Sequence, residues 1–98
     1  MVIAPAMGVP QAFYRDFAAW LAQRGFDALT FDYRGIGQSA PRSLRHYRAS
    51  IDDWIRYDYE AAIRAARARA GATPVFVVGH SLGAQLLALL PSAPEVSA

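Results

Sequence analysis

The sequence predicts an α/β fold in which parallel strands are covered by helices on both faces. Three observations carry this expectation. Apolar runs of strand character alternate with amphipathic helical stretches three times along the chain. The run 75–78, Val-Phe-Val-Val, has no polar alternate, as expected of a strand buried on both sides. It leads directly into Gly79-His80-Ser81-Leu82-Gly83, a G-x-S-x-G turn of the kind that carries a strand into a helix.

Taken in order, residues 2–6 form a short apolar run closed by Met7-Gly8-Val9-Pro10, which suits a buried strand entering a loop. From Gln11 the positions Phe13, Phe17, Trp20 and Leu21 fall on one helical face, with Gly25 where a C-terminal cap belongs. Residues 26–33 are rich in β-formers and run into the glycine-punctuated turn Arg34-Gly35-Ile36-Gly37, so they read as the second strand. Ser50 with Asp53 is an N-cap with an acidic partner, followed by the stripe Ile51, Ile55, Tyr59, Ala62, Ile63 and Ala66. The acids Asp52 and Asp53 lie at the start of this helix and Arg64, Arg67 and Arg69 near its end, the order its dipole favours, and Gly71 closes it. Residues 82–90 are apolar on nearly all sides, which predicts a buried helix, and Pro91 stops it.

Composition sets the limits. With 98 residues and 54% apolar content, the chain is one domain or part of one. An enzyme built on such a sheet needs roughly twice that length or more, so an incomplete domain is expected. All ten basic residues are arginine and the net charge is +2, too slight a balance for a nucleic-acid partner. Arg42, Arg45 and Arg48 recur beside His46 and Tyr47; a solvated loop or first helical turn is preferred over a basic binding face. No cysteine is present, so disulfides and thiolate metal sites are excluded. The first eleven residues lack the charged start of a signal peptide, and the run 82–90 is well short of the roughly 20 residues that span a bilayer. A soluble, cytoplasmic protein without a membrane partner is expected.

The chemistry lies at 79–83. A serine hydroxyl becomes a useful nucleophile only where a base can take its proton and fixed donors can meet the oxyanion. A sharp strand-to-helix turn supplies the exposure, and it needs small residues two before and two after the serine, as Gly79 and Gly83 are. Ser81 is therefore the candidate nucleophile. The helix that follows aims its N-terminal amides at the reacting centre, and Leu82 N–H is the first oxyanion donor. The competing reading is an ordinary glycine-rich turn between a strand and a helix, which the flanking strand and helix disfavour.

Three segments resemble one family. They are Val2-Ile3-Ala4-Pro5-Ala6-Met7-Gly8 with the helix carrying Phe13-Tyr14, Phe31-Asp32-Tyr33-Arg34-Gly35-Ile36-Gly37-Gln38-Ser39, and Gly79-His80-Ser81-Leu82-Gly83. In this order they resemble the α/β hydrolases, and among them the serine hydrolases grouped with the serine aminopeptidase-like fold. The resemblance implies a partial α/β-hydrolase-type three-layer sandwich over residues 1–98. Its three parallel strands would be the family's third, fourth and fifth, in the spatial order 4-3-5. It also implies a second oxyanion donor at Met7 N–H, although Pro5-Ala6 stand where many members have His-Gly. Neither a cofactor nor a metal is implied.

Other residues invite different readings. Gly35-Ile36-Gly37-Gln38-Ser39-Ala40 matches the dinucleotide fingerprint G-x-G-x-x-G/A, but Pro41 follows at once and Asp58, the acid at the right distance, sits in a helical stripe; the cofactor reading is rejected. Asp32, at the end of a central strand, is expected to organise its loop together with Arg34 rather than to act in catalysis. His80 should point away around the turn, and His46 would reach the site only by an accident of loop path, so neither is taken as the base.

Family order places the acid and the histidine after the serine, yet no histidine follows Ser81 and the only later acid is Glu95. Both remaining catalytic groups are thus expected outside these 98 residues. Open sheet edges should then favour self-association. The expected function is hydrolysis of a small-molecule ester, thioester or amide through an acyl-enzyme at Ser81. The alternative is a fold fragment or interaction module without chemistry. A serine nucleophile disfavours the aspartate-dependent dehalogenase branch.

Overall fold

The computed structural model describes every residue except Leu44 and His46. Three parallel strands, β1 (Val2–Ala4), β2 (Leu29–Thr30) and β3 (Val77–Gly79), form one sheet in the order β2-β1-β3. Val2 stands opposite both Leu29 and Val77, so the earliest strand is the central one. This is the sense that the alternation of strands and helices predicts and the order that the family resemblance implies. All three residues of β1 are buried, as a central strand covered on both faces should be.

The helices occupy the two faces. On one, α1 (Arg15–Gln23), entered through a 3₁₀ turn at Gln11–Tyr14, packs Tyr14 and Leu21 around Ile3. It ends in a Schellman motif: Phe26 N–H donates to Leu21 C=O, Gly25 N–H donates to Ala22 C=O, and Gly25 takes a φ of 86°. The other face carries a continuous helical stretch made of α2 (Ile51–Asp53), a π-helical segment (Trp54–Tyr59) and α3 (Glu60–Ala70). Ser50 and Asp53 form a reciprocal capping box at its start. Its buried residues Tyr59, Ala62 and Ile63 join Val2, Ala4, Tyr33 and Val75 in the main core. Finally α4 (Leu82–Leu86) leaves the turn after β3 and tightens into a 3₁₀ segment, Leu87–Leu89.

The structure corrects four expectations. Of the expected face only Leu21 is buried; Phe13 in the 3₁₀ turn, 70% exposed, and Phe17 and Trp20 in α1 are open, and Tyr14 and Ala18 join Leu21 against the sheet. The helix bears two apolar sectors, and periodicity does not say which one the sheet receives. The second strand shrinks from 26–33 to Leu29–Thr30, because Phe31 and Tyr33 turn into an aromatic cluster with Trp54 and Tyr59. Residues 82–90 are buried only at Gly83, Leu86 and Leu90, while Leu89 is exposed, since the sheet covers a single face of α4. Last, the outer edge of β3 is not bare. Val77 N–H donates to Ala98 C=O and Ser97 N–H to Val75 C=O, both at 2.8 Å, so the final residues lie along it.

Candidate active site

The C-terminal ends of β1 and β3 converge on one point, where active-site groups gather in open parallel sheets. Beyond β3 the chain turns sharply through Ser81, whose φ of 53° and ψ of −110° make it the one non-glycine residue with positive φ among the described residues. Such a backbone costs of order 1–3 kcal/mol and persists only where its surroundings impose it. They do so here through two glycines. A Cβ at Gly79 would strike the backbone of Ala84, and one at Gly83 would strike the carbonyls of Ala4 and Pro5, all closer than 3.0 Å. The turn is thus pressed against β1 on one side and its own helix on the other.

Hydrogen bonds fix it in place. His80 N–H donates to Ala4 C=O at 3.0 Å, and Gly83 N–H returns to His80 C=O at 3.0 Å. From the core side, Tyr59 donates its hydroxyl to Gly83 C=O at 2.9 Å. Burial pushes the Tyr59 phenol well above its ordinary range, so it stays a donor throughout the physiological range. Ser81 itself is exposed, and its hydroxyl has no hydrogen-bond partner among the described residues. The amides of Leu82 and Met7 likewise donate to none of the described residues, whereas their neighbours at Gly83 and Ala6 are engaged. Two free amides therefore lie on the two segments that flank the turn.

The other residues singled out in the sequence take these positions. His80 is turned toward helix α1, its Nδ1 2.9 Å from Tyr14 Oη and its ring stacked on Phe13, away from Ser81. Asp32 accepts from Gln11 N–H, Gln11 Nε2 and Gln38 N–H, which ties the loop after β2 to the start of the first helix. Gly37 leaves room for that carboxylate, since a Cβ there would lie 2.6 Å from it. Gly35 and Gly37 open only a three-residue 3₁₀ turn, Gly37–Ser39, not a helix. Arg34 makes a bidentate pair with Asp58, from its Nε and Nη2, and this anchors the same loop to the π-helical segment. His46 lies outside the described residues.

Two residues near the site escaped the sequence. Tyr14 was hidden behind its neighbour Phe13, and Tyr59 was legible as a core position but not as a hydroxyl aimed at the 79–83 turn, the elbow that carries Ser81. One hollow, about 800 Å³, lies elsewhere, lined by Met1, Phe26, Asp27, Ala70, Thr73 and Pro74 at the opposite, N-terminal ends of the strands. It is far from Ser81 in the topology, and strand-end ligand sites form at the carboxyl side. Among the described residues no group of three metal-ligating side chains occurs.

A parallel sheet with its first strand central, and a strained serine between two close-packed glycines at a strand-to-helix turn, define an α/β hydrolase. Residues 1–95 match the family described as serine aminopeptidase, S33, and the chain belongs to that family. Its curated relatives include the lysophosphatidylserine lipase ABHD12 of Gallus gallus, 34% identical over 67 residues, which cover 64% of this chain and 15% of that protein. The same lipase of Macaca fascicularis and of Mus musculus is 36% identical over 67 residues, covering 64% of this chain and 14% of each relative. The match thus takes in only about a seventh of each relative's length. No solved structure matches the chain.

Proposed function

We propose that this chain carries the nucleophile and oxyanion hole of a serine hydrolase. Ser81 Oγ attacks the carbonyl of an ester, thioester or amide, the bond to the leaving group breaks, and water later releases the acyl group from the serine. The amides of Leu82 and Met7 receive the negative charge on the tetrahedral oxygen. A base and an acid from outside these residues take the Ser81 proton and steady the base. The observation that carries this reading is the strained, exposed Ser81 with its hydroxyl unengaged and two unengaged amides on the flanking segments. Among acyl substrates, the relatives' name favours a lysophospholipid ester.

Fluorophosphonate labelling of the full product of this reading frame tests it. Labelling that Ser81→Ala abolishes is expected; equal labelling of both forms would refute the nucleophile. A second reading, an interaction module without chemistry, is favoured by the open aromatic face of α1 at Phe13, Phe17 and Trp20. A folded product inert to the probe supports that one.

A further inference from the structure

Tyr14 and His80 take no part in the chemistry above, yet they meet in one contact beside it. Tyr14 is buried, and its Oη lies 2.9 Å from the Ala6 amide and 2.9 Å from His80 Nδ1. An amide can only donate, so the phenol oxygen accepts from Ala6. The phenol proton then requires an acceptor, and His80 Nδ1 is the one within reach. The chain of bonds runs from Ala6 N–H through Tyr14 Oη–H to His80 Nδ1, which leaves the imidazole proton on Nε2.

We propose that the Tyr14–His80 pair is a positioning clamp that holds the Met7 amide in register with the Leu82 amide, so that both meet the oxyanion formed at Ser81. This rests on the reading of Ser81 as nucleophile. Ala6 is the lever. Its N–H is held by Tyr14 and its C=O accepts from Val9 N–H at 3.2 Å. That carbonyl shares a planar peptide unit with Met7 N–H, so the Val9 bond aims the Met7 amide, while Tyr14 pins the preceding peptide unit and with it the other side of the Ala6 Cα. On the elbow side, the His80 backbone is tied to Ala4, and its ring returns through Tyr14 to Ala6. The two segments that carry the donors are therefore joined twice, once by backbone and once by side chains. The second tie matters because residues 5–7 lie beyond the last strand residue, Ala4, and have no ladder to hold them. A displacement of 1 Å in such a site can cost about a hundredfold in rate.

The test uses the full product of the reading frame and two readouts, the rate of fluorophosphonate labelling and the thermal midpoint. Tyr14→Phe and His80→Ala are each expected to slow labelling about 10- to 100-fold. His80→Asn, whose amide oxygen can stand near the place of Nδ1, should restore most of the rate. The double variant should be no slower than the slower single one, because both changes break the same tie. With p-nitrophenyl butyrate the loss should fall on kcat and leave KM unchanged. Wild-type labelling in Tyr14→Phe, or additive losses in the double variant, would overturn the clamp. Should Tyr14→Phe fail to fold, the exposed His80 decides alone: equal rates for wild type, His80→Ala and His80→Asn overturn it. If Ser81→Ala still labels, the nucleophile reading itself has failed, which the other variants cannot mimic.

Discussion

At the scale of single residues, the turn at Ser81 stores strain that a glycine would not feel. Ser81→Gly is expected to raise stability by about 1 kcal/mol relative to Ser81→Ala, which keeps the Cβ and hence the penalty at φ 53°. Urea titration of the two variants measures the difference, and equal midpoints would show that the turn is unstrained. The opposite sign holds at Gly83, where a methyl group meets two backbone carbonyls that cannot rotate aside. Gly83→Ala should cost about 1–3 kcal/mol by overpacking. The aromatic cluster adds a pH dependence. Burial pushes the phenols of Tyr33 and Tyr59 well above their ordinary value of 10.0. Above that value the unfolded chain loses these protons while the folded chain keeps them, so the unfolded state binds fewer protons and stability falls as pH rises. Above about pH 9.5 the urea midpoint should decline as these phenols ionise in the unfolded chain. Tyr59→Phe should make the decline shallower.

At the scale of elements, caps and links decide more than periodicity does. Ser50→Ala removes the acceptor for Asp53 N–H and should cost about 1 kcal/mol, read as a lower thermal midpoint. The capping box, the Schellman turn at Gly25 and the order of charges along the second long helix were all legible, because each depends on residues only a few positions apart. So was the succession of strands and helices, and with it the turn at 79–83. The buried face of α1 was not legible, since Tyr14 and Phe13 differ in sequence by one place and only contact with Ile3 chooses between them. Nor was Glu60, a charged residue that is 4% exposed. Its carboxylate accepts from Ser92 N–H, Ser92 Oγ and Arg64 Nε, partners that the sequence separates by up to 32 positions. The π-helical segment at Trp54–Tyr59 also has no local signature. It was the site's long-range geometry, not its residue types, that stayed hidden.

At the scale of the molecule, the two edges of the sheet differ. The tail lies along β3, whereas β2 presents its outer side unpaired among the described residues. Leu29 N–H donates to Met1 C=O, so strand alternation turns the Thr30 amide outward. We expect this chain to self-associate through β2, and Thr30→Pro, which removes an outward donor from that edge together with the hydroxyl that donates to Gln11 Oε1, to reduce the associated fraction in sedimentation. A monodisperse monomer of the unaltered chain would exclude it.

The central place of β1 has one more consequence. Val2 must find Val77, a partner that leaves the ribosome only when most of these residues have been made. Until then the buried strand Val2–Ala4 has at best the short β2 beside it, and its second edge stays exposed in the nascent chain. Contacts so remote in sequence close slowly. During synthesis this chain therefore passes through an interval in which its most apolar strand needs protection from other chains, and the arrival of the elbow itself ends that interval.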